Sequence, residues 1–543
     1  MKGNCVPVSG VSLKVIRPKD ISKPSEKLGH VETSELQPLP KPFDIEPPAR
    51  ELEADVCARL EASLDDTLAV GVPKPGSAQQ EEELVQRFLS GLEKLLSKEN
   101  NWAFLQQLVL SLDCCTRCQS CIEACPIYTS SGRNDLYRPT LRSEIFRQWV
   151  HKYLRPGGKL FALLKGEDIE LNWTGVVRLL ELSYRCTLCR RCAQACPIGV
   201  DNGLIAHEIR KLFSMEMGLA PKELHEKGSV QQLTAGSSTG MNPEGAKDSV
   251  QFIDEEMSEL AGRTIETPWD KHGAEVLLLH NAGEFLAWPE NPGAFALILE
   301  AAGISWTLSS ELASYDAVNY GVWYDDVQFA RIAMRQAEAA KKLGVKKILI
   351  GECGHAHKAL TVIADRLLPA DLNIPRESSI VFLRDIVRSG RLKLDPSRNE
   401  FPVTLHDPCN LVRLMGIVEP QREILRMTCP QFREMTPHGV ENYCCGGGSG
   451  FAIMSRHNFK DWRLTIAGRM KFKQILDAFA DCLEPEIRKY VCAPCSNCKG
   501  QLRDLFQYYD VWQKAGILYG GLVELIANAM PELKQPFIKW EFR

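Results

Sequence analysis

Two stretches, Cys115–Pro126 (CTRCQSCIEACP) and Cys186–Pro197 (CTLCRRCAQACP), decide how this chain is read. Each carries the spacing C-x2-C-x2-C-x3-C-P. Three thiolates on a tight turn cap one side of a [4Fe–4S] cube, and in this pattern the more distant Cys-Pro serves the other cluster. The expected ligands are Cys115, Cys118, Cys121 and Cys196 for one cubane cluster, and Cys186, Cys189, Cys192 and Cys125 for a second. Cys114 is one residue out of register and reads as a neighbour. A pair of zinc knuckles is the competing reading, and two full matches with both prolines in register weigh against it.

The rest of the composition agrees with metal or redox chemistry. The chain has 543 residues and 20 cysteines, thirteen of them in four short runs at 114–125, 186–196, 444–445 and 495–498. The opening MKGNCVPVSGVSLKVIRPKD lacks the apolar stretch of a signal peptide, so a cytoplasmic protein with reduced thiols is expected. Acidic and basic side chains nearly cancel, 69 against 65, which excludes a general field for nucleic acid or an anionic membrane. The nearest thing to a membrane span, Gly516–Met530, carries Glu524 and is shorter than the ~20 residues a bilayer helix needs. Membrane association is expected to require a partner.

Length at roughly 150 residues per domain suggests three or four units. Residues 1–80 read as an irregular Pro-rich arm (LQPLPKPFDIEPP, GVPKPG) with one short helical piece at Ala49–Leu68. Residues 81–217 read as a helical two-cluster domain: Leu84, Val85, Phe88, Leu89, Leu92, Leu95 and Leu96 share a helix face, and Trp102–Leu112 forms a second helix. Residues 218–272, rich in Gly, Ser and Pro, read as a linker. From 273 the texture is α/β, with β-rich runs EVLLLH, ISWTL, KKILIGE, SIVFL, PVTLHD and KYVCA between helical stretches, which predicts parallel strands under helices. LLLHNAGEFLAWPE aligns with VTLHDPCNLVRLMG, setting Gly283 opposite Cys409, so two similar modules are expected at 273–400 and 401–543. The fold class is α + α/β.

The second module holds Cys409, Cys444-Cys445-Gly446 and Cys495-x2-Cys498. Adjacent cysteines can ligate neighbouring irons, and the glycines of GGGSG let backbone N–H groups approach sulfur. As a phosphate loop GGGSG lacks the Lys-Ser/Thr ending, and a vicinal disulfide would be a strained ring. Cys492 offers a competing C-x2-C with Cys495. In the first module Gly283, Asn319, Tyr320 and Ala356 stand where thiolates would be, and Cys353 alone remains. Cys353, His355 and His357 read either as the lining of a substrate channel or as a buried thiol with two satisfied histidines. His406 reads either as a hydrogen-bond or proton donor to this site or as a strand-end residue holding a turn. Cys5, Cys57, Cys429 and Cys482 lack partners at metal spacing.

HDPCN, YCCGGGSGF and CAPCSNC together resemble the CCG module of heterodisulfide reductase catalytic subunits. That resemblance implies five ligands to a non-cubane [4Fe–4S] cluster that cleaves disulfides: Cys409, Cys444, Cys445, Cys495 and Cys498. The gap of 49 residues from Cys445 to Cys495 departs from the family pattern of mid-thirties. With sixty mostly helical residues between Cys125 and Cys186, the first two runs resemble an α-helical ferredoxin. The combination is similar to the HdrD-like group and, within it, to DsrK subunits of DsrMKJOP complexes. This implies a location peripheral to the inner membrane and electrons exchanged with a haem b membrane subunit (DsrM-like) and its quinone pool. It also implies a small DsrC-like protein carrying a disulfide or trisulfide as substrate. Two other resemblances stay open: an electron-transfer subunit of a glycolate or glycerol-3-phosphate dehydrogenase, and a pure conduit in a related transmembrane complex.

Overall fold

In the computed structural model, which describes residues 15–99, 105–166, 168–454 and 459–542, a helical part precedes two parallel sheets. Cys5 and residues 102–104 of the second expected helix lie outside the described residues. The helical part is built from Ala78–Leu95, Leu105–Asp113, Pro139–Leu154, Trp173–Tyr184 and Asn202–Met217. Polar caps set their starts: Ser77, Asn172 and Asp201 each accept a first-turn N–H. Phe88 meets Trp149 edge-on at 5.5 Å and Phe213 at 5.4 Å, which locks three of these helices around one core.

The Pro-rich segment is a strap fastened by buried charge. Arg178, 1 % exposed, donates to the carbonyls of Ile21, Lys23 and Glu26. Arg185 forms a two-pronged pair with Asp65, and Glu181 accepts the N–H groups of Ala69, Val70 and Gly71. Phe43 reaches the far half of the molecule, where it packs edge-on against Phe472 at 5.2 Å. Of the helical piece expected at Ala49–Leu68, only Ala54–Arg59 forms.

Residues 218–272 are more ordered than a linker. Asn242 caps a helix at Pro243–Ala261, and Ala246, Val250, Ile253 and Met257 recur on its buried face. The densest Gly and Ser run that suggested a linker, residues 236–240, lies in the turn before it.

The second half contains two four-stranded, all-parallel sheets of identical order. The first is β2-β1-β3-β4, with β1 Val276–Leu279, β2 Trp306–Thr307, β3 Lys347–Ile350 and β4 Arg376–Ser378. The second is β6-β5-β7-β8, with β5 Val403–Leu405, β6 Phe432–Arg433, β7 Lys489–Cys492 and β8 Ile517–Gly520. The strand order makes β1 the counterpart of β5, as the aligned LLLHNAGEF and VTLHDPCNL segments anticipate. The sheets are joined reciprocally: helix Glu290–Ala301, after β1, packs on Leu522–Asn528, after β8, while Ser379–Arg388, after β4, packs on Glu419–Thr428, after β5.

Two local expectations change. SIVFL is not a strand but opens the helix Ser379–Arg388, because Ser378 caps Ile380 and Ile380, Leu383, Ile386 and Val387 fall on one buried face. Gly516–Met530 divides at Gly521 into β8 and the helix Leu522–Asn528, both buried. Among the described residues no helix is long and apolar enough to cross a membrane.

Replacing Arg178 with Met leaves the carbonyls of Ile21, Lys23 and Glu26 without their donor, the first of them buried. The expected cost is about 2–4 kcal/mol in denaturant unfolding, with new protease cleavage in residues 17–30.

Candidate metal centres

The two cysteine runs fold as matching turns. Arg117 and Gln119 in the first, and Leu188 and Arg190 in the second, occupy the left-handed region at equivalent places and curl the backbone so that the thiols converge. Cys196 crosses over to join Cys115, Cys118 and Cys121 around one small cavity. Burial, then the proximity of Cys115, Cys196 and Cys118, pushes the Cys121 thiol up to about 11. Cys125 crosses the other way. Burial and the neighbouring Cys189 and Cys186 push it up to about 12, and Cys192 has the same neighbours. Cys114 and Cys118 are exposed at the surface.

The third group lies where parallel-sheet folds bind ligands, at the carboxyl ends of strands where the order reverses. Cys409 follows β5, and Cys495 and Cys498 follow the adjacent β7. Cys444, Cys445, Cys495 and Cys498 form one buried cluster against which Cys409 packs. Cys189 of the second group packs there too, touching Cys444, so the second and third groups are contiguous. Cys492 takes no part: it belongs to β7 and is buried in the apolar core with Tyr490 and Leu405.

Backbone donors converge on these sulfurs. Gly446 donates to Cys444 and Gly447 to Cys445, each at 3.4 Å, and Gly354 of the first module donates to Cys495 at 3.3 Å. Gly446 must be glycine, since it has φ +91° and a Cβ would stand 2.4 Å from the Gly468 nitrogen. His406 is fully buried with neither ring nitrogen hydrogen-bonded, and it lies within 4.8 Å of the sulfurs of Cys445 and Cys498. Soft sulfur donors, aimed N–H groups and an unpartnered imidazole fit an iron–sulfur centre.

Sequence reasoning missed several residues that hold this arrangement. Arg413 donates to the carbonyls of Cys189, Val440 and Asn442, and Arg210 to those of Ser183, Cys186 and Ser449, so both clamp the second cysteine loop against the third group. Lys471 is buried behind the group with its ammonium 2.6 Å from the Asn442 amide oxygen, and burial pulls it down to about 7. Each lies far from a cysteine motif in sequence, so no local signal marks it. The first module supplies a cover: His355 accepts the Ser449 N–H at 3.3 Å. His357 is a satisfied core histidine, donating to the Cys353 carbonyl and accepting from Ser378. Cys353 is buried beside Cys495.

Comparison with known proteins agrees with this division. The family described as a 4Fe-4S dicluster domain matches residues 111–200, and the cysteine-rich CCG family matches residues 403–503. The chain is 26 % identical over 488 residues to an Hdr-like menaquinol oxidoreductase iron-sulfur subunit 2 of Archaeoglobus fulgidus, covering 82 % of this chain and 83 % of that one. It is 25 % identical over 403 residues to a dihydromethanophenazine:CoB–CoM heterodisulfide reductase subunit of Methanosarcina acetivorans, covering 73 % and 89 %. An EtfAB:quinone oxidoreductase of Syntrophomonas wolfei is 22 % identical over 422 residues, covering 73 % and 55 %. The chain is thus similar to Hdr-like iron–sulfur subunits of oxidoreductases over most of its length.

Behind the third group the two modules meet at a buried charge cluster. Lys499 is fully buried, 3.1 Å from Glu284 of the first module and 3.7 Å from Glu524 of the second. Glu352 accepts the N–H groups of Leu522 and Val523, and burial pushes its carboxyl up to about 8 despite Lys499. The folded pKa therefore exceeds the unfolded value of about 4.3. The stability this group contributes is complete below that value and is lost as pH rises through about 8. Glu352→Gln is expected to remove that loss. Its stability relative to wild type, measured by denaturant unfolding, should rise between about pH 5 and about pH 9.

Proposed function

We propose that this chain is the iron–sulfur subunit of a membrane-associated redox complex and exchanges electrons between a membrane partner and a sulfur substrate. In this reading Cys115, Cys118, Cys121 and Cys196, and Cys186, Cys189, Cys192 and Cys125, hold two cubane [4Fe–4S] clusters. Cys409, Cys444, Cys445, Cys495 and Cys498 hold a non-cubane one. Such clusters take up and release electrons singly, whereas cleaving an S–S bond needs two. The membrane partner would be a DsrM-like haem b subunit with its quinone pool. The substrate would be a disulfide or trisulfide on a small DsrC-like protein, as the likeness to DsrK subunits suggests.

The observation that carries the proposal is the order of the thiol groups. They run from the exposed Cys118, through Cys189, to the buried Cys444 that Cys189 touches. The chain's own residues do the rest. Gly446, Gly447 and Gly354 offset negative charge on the thiolates, Arg413 and Arg210 hold the second and third groups together, and the first module excludes water from Cys495.

The burial of the third group favours a second reading, since Cys444, Cys445 and Cys495 are only 1–2 % exposed. In that reading the chain conducts electrons with no sulfur substrate of its own, as an electron-transfer subunit of a glycolate or glycerol-3-phosphate dehydrogenase type or a related transmembrane complex.

Anaerobically purified protein is expected to hold about twelve irons, and Cys445→Ser about eight, with both cubane signals intact. Disulfide turnover in the variant should fall at least about a hundredfold if the third centre is catalytic. Eight irons in wild type would refute the third centre, and unchanged turnover in the variant would favour the conduit.

A further inference from the structure

The helix Gly158–Leu164 carries the largest concentration of exposed apolar side chains in the described residues. Leu160, Phe161, Leu163 and Leu164 are 62 %, 61 %, 66 % and 73 % exposed. At roughly 100° per residue these four occupy one arc of about 160°. Gly158 and Ala162 lie on the opposite side, where the helix rests on the end of Pro139–Leu154. That seat is tight: a Cβ on Gly158 would stand 2.0 Å from the His151 carbonyl oxygen. The small face is therefore fixed inward and the large apolar face outward.

Charge identifies what covers it. Lys159 and Lys165 fall at the two edges of the apolar arc, are exposed, and form no ion pair among the described residues. Lys152 and Arg155 nearby are paired with Asp168 and Asp113. From Ile145 to Gly166 the sequence contains five lysines and arginines and no acidic residue. Leucine and phenylalanine between flanking lysines is the pattern of a helix lying in a lipid–water interface, its rings and branches among acyl chains and its ammonium groups at headgroup phosphates.

We propose that this helix seats the chain directly on an anionic membrane surface. It also sets the approach of the first cysteine loop, because Arg117 and Gln119 of that loop share a cavity of about 300 Å³ with Gly166, two residues past the helix. The contact adds to any made through a partner subunit and does not depend on the chemistry of the third thiol group.

The test is flotation of the full-length, cluster-loaded protein with vesicles of phosphatidylcholine alone or with phosphatidylglycerol added. Wild type is expected to float with the anionic vesicles and to be released by salt. Leu160→Ser/Phe161→Ser/Leu164→Ser and Lys159→Glu/Lys165→Glu should each bind at least about tenfold more weakly, with unchanged iron content and cluster reduction. The proposal is overturned if wild type floats with neither vesicle or equally with both, or if either variant binds as wild type does. It is also overturned if binding appears only on native membranes and is abolished by prior trypsin treatment of those membranes. That result would assign the face to a membrane protein.

Discussion

Negative sulfur is unstable in a dry interior unless donors or metal take up its charge. Most of the architecture around the cysteines answers that demand. The third group is the extreme case, with four thiols buried together and a fifth packed against them. Its loops are consequently glycine-rich, because only a bare backbone can bring N–H groups of successive residues onto two adjacent sulfurs. The same demand explains why Arg413 and Arg210 spend their donors on loop carbonyls. By fixing loop geometry they keep cationic groups close to the sulfurs without placing a guanidinium in direct competition for them.

The duplicated sheets turn this into a two-sided site. One module supplies the thiols, and the other has lost all but Cys353 while keeping strand order and turn positions. Retention of the scaffold without the donors makes sense if the first module serves as a wall. Gly354 and His355 extend from it to Cys495 and to the GGGSG loop. The reciprocal helix packing and the Lys499 charge cluster hold the wall in register, so the protein around the third group is assembled from both halves and belongs to neither alone.

Much of the convergence of thiols was legible because the cysteines stand at short, repeated spacings. The exchange of Cys125 and Cys196 between turns follows from the repeated motif, and the aligned His280 and His406 segments announce matching strands. What sequence could not show is contact between distant segments. Cys189 touching Cys444, Lys471 behind Cys445, and Arg413 spanning two loops are produced by domain packing and leave no local pattern. Local propensity also misled where capping decided the outcome. The β-branched SIVFL became a helix because Ser378 could cap it, and the Gly- and Ser-rich stretch before Asn242 concealed a helix whose apolar residues recur with helical period. Cys492 matched a ligand spacing, yet strand alternation turned it to the apolar face.

The strap has a consequence for biosynthesis. Its segment around Phe43 and Glu46 is synthesised long before its seats, Phe472, Arg469 and Tyr509. Until those seats exist the strap cannot cinch the helical part to the sheets. Closure of the strap therefore comes after the second sheet's helices exist, which makes this fastening a late step of folding.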